Sequence, residues 1–278
     1  MDLNWFECLI IGLVSGFTDV LPVSSQAHKA IFLKIFGVTG EPLLLRFAIH
    51  VAILGALYYG CHANVRRIMR QLKLAQIPKK RRKRPLDPKT IAEFKVLRVM
   101  VIPVILSLFL YSKTAEWNNR MNLTAVFLLL NGVILFLPNL LPTGNKDARS
   151  MSALEGLLIG MGGSVSVLPG VSAVGGAISV ASACGAERTF ALNLTYLMQM
   201  VLTIGLIGFD FAAVFAAGIG GLTFAVFLRY LIAAIAAFFG AYTGIKAMRM
   251  LAVNIGFSVF AFYSFGAALL SFLLYLMV

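Results

Sequence analysis

Acids are scarce in this chain. Eleven Asp and Glu stand against 24 Lys and Arg in 278 residues, and charged residues together make up only 13%. A soluble domain carries roughly twice that share, so an ordinary water-exposed surface is excluded. Cysteine is equally sparse: Cys8, Cys61 and Cys184 are odd in number, widely spaced and set in apolar runs. They supply neither a disulfide framework nor a zinc site and read as small buried hydrophobes. The opening MDLNWFECLI lacks a basic n-region and a small-residue cleavage motif, so it is expected to belong to the mature fold.

What fills the chain is apolar. Hydrophobic residues reach 60% and mean hydropathy is +0.90. Several runs attain the roughly 20 apolar residues that a helix needs to cross a bilayer. The expected class is an all-α polytopic membrane protein in one domain, residues 1–278. A net charge of +13 would suggest nucleic acid if it were spread evenly, but 13 of the 24 Lys and Arg lie between Arg66 and Arg98, including KKRRKR from Lys79 to Arg84. No aromatics are interleaved there for base stacking, so no nucleic-acid partner is expected. A basic loop at 64–93, between two spans, is what the positive-inside rule places in the cytoplasm. Its expected partner is anionic membrane lipid, at roughly 1 kcal/mol per basic residue near the surface.

Hydropathy divides the rest. Residues 4–20 and 23–36 are apolar but broken by Leu21-Pro22. Spans follow at 43–63, 94–112 and 121–141. Residues 151–168 and 171–184 are again two short pieces, broken by Leu168-Pro169. Spans at 188–209, 211–240 and 252–277 complete the chain, the long 211–240 stretch continuing as a tilted helix toward Arg249. The two broken regions resemble each other. Glu7 to Gly12 matches Glu155 to Gly160, Val20-Leu21-Pro22 matches Val167-Leu168-Pro169, and Ser25 falls opposite Ser172. The expectation is therefore an inverted repeat, about 1–141 and 151–278, with about six transmembrane helices and two re-entrant helical hairpins. Each proline removes a backbone donor and breaks its helix. The free N–H groups that begin the next half-helix, with its dipole, then form an anion site.

GLVSGFTDVLPVSSQAH, Gly12 to His28, resembles the first signature of the undecaprenyl-diphosphate phosphatase family, also called the bacitracin-resistance protein family, roughly G-x-x-E-G-x-T-E-F-L-P-V-S-S-x-G-H. LPGVSAVGGAISVA, Leu168 to Ala181, is similar to its second, P-G-x-S-R-S-G-x-T. FAIHVAILGAL, Phe47 to Leu57, resembles a third stretch, and FAFYSFGAAL sits near the C-terminus where the family has an A-x-Y-R-like segment. The resemblance covers the chain in order. It implies hydrolysis of undecaprenyl diphosphate to the monophosphate in cell-wall lipid-carrier recycling, at the bacterial inner membrane. It also implies acids binding Mg²⁺ or Ca²⁺, a polyprenyl (di)phosphate lipid as substrate, and leaves a homodimer open.

Carried over position by position, the resemblance makes Asp19, Ser25 and His28 the catalytic candidates, with Asp19 also the metal ligand. Ser24, Gly170, Ser172 and His50 are the substrate-binding candidates. Other positions depart from the pattern. Ser15 replaces the first glutamate and Ala27 the glycine before His28. Gly163 stands where a glutamine precedes the second motif, Ala173 and Val174 at its arginine and serine, and Ser264 at the late arginine. Arg grips phosphate oxygens with a rigid fork that alanine lacks. Lys29 and Arg46 are the cations near enough in sequence to be weighed as replacements; Lys29 does not share a helix face with His28.

Plainer readings stand beside these. Ser24 and Ser25 suit the cap of the half-helix after Pro22, and His50 suits packing or a hydrogen bond. His62 sits at a membrane edge. Glu7 and Glu155 are expected at the interface, and Asp210, close after a glycine at a span edge, in a loop. Gly162, Gly163, Gly170, Gly175 and Gly176 read as close helix packing. The losses leave two functions in view: a divergent diphosphatase, or a non-catalytic homologue that binds or translocates a polyprenyl phosphate or another amphiphile.

Overall fold

Each interrupted region opens on the same local device. In the computed structural model, which describes residues 3–38, 40–114, 116–117, 120–218, 222–254 and 258–277, Asn4 and Glu7 form a capping box at the start of α1 (Trp5–Asp19). Ser152 and Glu155 form its counterpart at the start of α6 (Ala153–Ser164). Each box satisfies two N–H groups that a helix start leaves open. After each proline a second short helix begins on a serine cap. Ser24 accepts from Ala27 N to start α2 (Ser25–Ile35), and Ser172 accepts from Gly175 N to start α7 (Ala173–Ala183). With 15, 11, 12 and 11 residues, these arms rise only about 16–23 Å. None reaches across a roughly 30 Å hydrocarbon core, so each pair is a short helical hairpin.

The remaining helices are long: α3 (Leu43–Gln76), α4 (Pro88–Thr114), α5 (Met121–Phe136, prolonged by a 3-10 turn to Leu140), α8 (Arg188–Ala217), α9 (Phe224–Asn254) and α10 (Ser258–Leu276). Among the described residues these are the six segments long and apolar enough to cross a membrane. Their outward faces carry large apolar side chains such as Phe109, Leu106, Phe215 and Phe262, as lipid contact requires. The chain is a multi-pass membrane protein.

Packing exchanges elements between the two halves. α1 lies along α9, and α6 along α4; α3 meets α8 and α5 meets α10. Replacing α1–α5 by α6–α10 in order reproduces the same pairs, the pattern two equivalent halves produce. The contacts are close because the residues are small. A Cβ on Gly12 or Gly16 would sit 2.1 and 2.0 Å from the carbonyls of Ala233 and Ala237, and one on Gly160 would sit 2.2 Å from that of Met100.

Three boundaries differ from the sequence expectation. The 64–93 loop is mostly helix: α3 runs on to Gln76 and α4 starts at Pro88, because Arg and Lys are good helix formers once outside hydrocarbon. Arg67 joins the two extensions through Glu93 at 2.5 Å. The supposed edge near 210 lies inside α8, which ends at Gly218 with φ +74. α9 accordingly begins at Phe224 and continues past Arg249; residues 219–221 lie outside the described ones.

Candidate functional site

The two proline breaks meet, and side chains from the long helices stitch them together. Asn131 of α5, fully buried, donates to the Pro22 carbonyl (3.3 Å) and to Ser264 Oγ (3.0 Å) and accepts from Ser172 N (2.9 Å). Ser172 Oγ donates to the Leu21 carbonyl at 3.1 Å, and Tyr196 OH donates to the Val20 carbonyl at 3.1 Å. Backbone carbonyls exposed by the breaks are thereby satisfied without water.

One cavity opens between the two tips. It is lined by Asp19, Ser24, Ser25 and Gln26 from the first hairpin, Ser166, Ser172 and Ala173 from the second, and Gln199 from α8. Ser25 Oγ donates to Asp19 Oδ1 at 2.7 Å, and Gln199 Nε2 donates to Asp19 Oδ2 at 3.0 Å. The first N–H groups of both half-helices, on Ser25, Gln26, Ala173 and Val174, have no partner among the described residues. Two helix N-termini therefore present open donors and positive dipole ends at one place. Among the described lining residues Asp19 is the only ionisable one.

The cap register corrects the sequence pairing of the hairpins. Ser24 and Ser172 are the equivalent caps, so Ser25 stands opposite Ala173 and not opposite Ser172. The extra residue is Gly170, whose φ of +122 is open only to glycine. A Cβ there would also strike Phe127 at 2.7 Å and Leu128 N at 2.9 Å. Gly170 shapes the turn and does not line the cavity.

The histidines stand apart as well. His28 Nδ1 lies 2.6 Å from the Ser24 carbonyl and Nε2 lies 2.7 Å from the Tyr263 hydroxyl. A carbonyl only accepts, so the neutral ring carries its proton on Nδ1 and accepts from Tyr263. Both nitrogens are engaged, which makes His28 a link between α2 and α10 and leaves it no free edge for acid–base work at the cavity. His50 Nδ1 meets Asp210 Oδ2 at 2.5 Å, and Arg46 Nε donates to Asp210 Oδ1 at 2.6 Å. Asp210 is fully buried, within a helix and not in a loop, because Arg46 of α3 neutralises it and His50 of α3 hydrogen-bonds its other oxygen. Lys29 is held by Glu41 at 2.9 Å in a neighbouring cavity that shares Gln26 with the first and also includes His50 and Tyr111. The two cations weighed as replacements for the missing arginine are thus both in ion pairs.

At the outer ends the acids cap helices. Glu155 additionally binds Lys146 at 2.5 Å, and that ammonium, with the Ser152 N–H, pulls its carboxyl down to about 2.

A family model described as Bacitracin resistance protein BacA matches residues 8–270. The chain belongs to this family. Curated relatives agree with the BacA assignment at modest identity. An undecaprenyl-diphosphatase of Methanobrevibacter smithii is 26% identical over 262 residues, 92% of each chain. One from Methanococcus maripaludis is 30% identical over 200 residues, covering 72% of this chain and 76% of its own. One from Thermosipho africanus is 29% identical over 202 residues, covering 71% and 75%.

Two residues at or beside the cavity escaped the sequence reading. Gln199 carries no motif around it, and its only signal is a carboxamide inside an apolar span. Asn131 gives the same signal in α5. As for a metal, no three His, Cys, Asp or Glu side chains converge among the described residues. The oxygens of Asp19, Ser25, Gln26 and Gln199 at the cavity do suit a hard cation such as Mg²⁺ or Ca²⁺.

Proposed function

We propose that this protein is a membrane undecaprenyl-diphosphate phosphatase, releasing phosphate from the lipid diphosphate to leave the monophosphate. The observation that carries the reading is the convergence of two half-helix N-termini on the Asp19–Ser25 pair. In this reading the open N–H groups of Ser25, Gln26 and Ala173 cradle the phosphates, doing by backbone what the family's arginine does by side chain. Ser25 already points its proton at Asp19, the geometry of a nucleophile beside its base. As Ser25 Oγ bonds to the terminal phosphorus, its proton passes to Asp19. The bond from that phosphorus to the bridging oxygen breaks, and the lipid monophosphate leaves with the electron pair. Water then attacks the phosphoserine, giving inorganic phosphate and restoring the hydroxyl. A bound divalent cation would neutralise phosphoryl oxygen charge there, with Asp19 as its carboxylate ligand. The protein sits in the bacterial inner membrane with its basic end in the cytoplasm, against anionic lipid.

The test is phosphate release from undecaprenyl diphosphate by purified protein with Mg²⁺ or Ca²⁺. Asp19→Ala is expected to lower release at least about a hundred-fold, the usual worth of a positioned base. Wild-type release no higher than the Asp19→Ala background would end the enzyme reading.

A further inference from the structure

A phosphoryl-transfer cation is ordinarily held by one or two carboxylates plus the substrate's phosphates. Among the described lining residues the cavity has one carboxylate, Asp19. Ser15, where the related pattern has an acid, lies one turn before Asp19 on the same face of α1. Its hydroxyl is buried without a hydrogen-bond partner and does not line the cavity. Nothing at position 15 makes good the missing oxygen ligand.

Two carboxamides are placed to do so. Gln199 is 3% exposed and already touches Asp19 through Nε2, leaving Oε1 buried with no donor. Gln26 also lines the cavity, and its Oε1 is likewise buried with no donor. An unpaired carbonyl oxygen in a protein interior is costly, and here two glutamines that carry such atoms line the cavity that holds Asp19. Their arrival is structurally independent: Gln26 belongs to the second helical position of α2, whereas Gln199 comes from α8 of the other half. A half-turn of the Gln199 amide exchanges Nε2 for Oε1 beside Asp19, replacing a hydrogen bond by a pair of oxygens.

We propose that Gln199 and Gln26 are the carboxamide ligands of a divalent-cation site completed by Asp19 and Ser25, so that neutral oxygens stand in for the second acid. The inference deepens the diphosphatase reading by naming which residues of this chain hold the ion. One negative charge in place of two makes the substrate-free site weak, and ligand charge is what sets such affinities. Calcium, which accepts amide oxygens and irregular geometry, binds there better than magnesium, which keeps its waters.

The experiment is calorimetric titration of CaCl₂ into substrate-free protein in phosphatidylcholine nanodiscs, which carry no net lipid charge. Wild type is expected to show one site that disappears in Asp19→Ala. Gln199→Leu and Gln26→Leu each weaken it about ten-fold or more, while Gln199→Glu tightens it about ten-fold by restoring the second charge. Melting temperature of each variant separates ligand loss from misfolding, and the near-isosteric Gln199→Glu keeps the test decisive if a leucine variant unfolds. Unchanged calcium affinity in folded Gln199→Leu, no tightening in Gln199→Glu, or no Asp19-dependent site in wild type overturns the proposal. Calcium binding without phosphate release would leave this site standing and the enzyme reading fallen; release without the glutamine dependence would do the reverse.

Discussion

At the tip of the first hairpin Ser24 caps the helix and Ser25 follows; at the tip of the second Ser172 caps and Ala173 follows. The caps do the same backbone work in both halves, since each accepts the N–H three residues on. The next position is where the halves part. Ser25 directs its hydroxyl to Asp19, whereas Ala173 offers only its amide. The repeat therefore keeps two helix starts with open backbone donors and puts a hydroxyl–carboxylate pair on one of them. Backbone donors are common to any helix start, so this part of the site survives substitutions that remove charged side chains.

The sharpest way to break that asymmetry is Ala173→Arg. A guanidinium opposite Ser25 restores a phosphate clamp, and such groups are worth about 10³-fold in phosphoryl transfer. Phosphate release is expected to rise about a hundred-fold or more, with a lower KM. Next comes the pair of serines. Ser25→Ala should lower kcat about a hundred-fold while leaving the melting temperature near wild type. Ser172→Ala loses a cap and a bond to Leu21, costing about 1 kcal/mol of stability, with release kept within about ten-fold. Equal losses of rate in both would erase the distinction. The smallest effect concerns the outer ends. Because Lys146 holds the Glu155 carboxyl at about 2, below its ordinary value of 4.5, its contribution to stability is complete above about pH 4.5. That contribution disappears as pH falls through about 2. Thermal melts between these limits should show the decline, and Glu155→Gln should flatten it.

Much of this arrangement was legible in the residues. Apolar run length and the Leu-Pro breaks are local signals, so the six long helices could be placed from the first and the two hairpins from the second. Contacts between distant residues could not. Asp210 read as a loop residue because it comes close after a glycine at an apparent span edge. Its partners Arg46 and His50 lie more than 150 residues away in sequence, and only their approach makes the burial tolerable. His28 looked like a site residue from its spacing to Asp19, yet its ring is turned to Tyr263. Residues 64–76 read as loop because hydropathy registers charge and not helix propensity.

The docking of α1 on α9 has a consequence for biogenesis. The groove that receives Gly12 and Gly16 is built from Ala233 and Ala237, and these emerge from the ribosome only after the whole of α2 to α8. During synthesis the first hairpin has no final partner for its small-residue face. It must be retained at the membrane, by its own apolar surface or by the insertion machinery, until the ninth helix arrives to close over it.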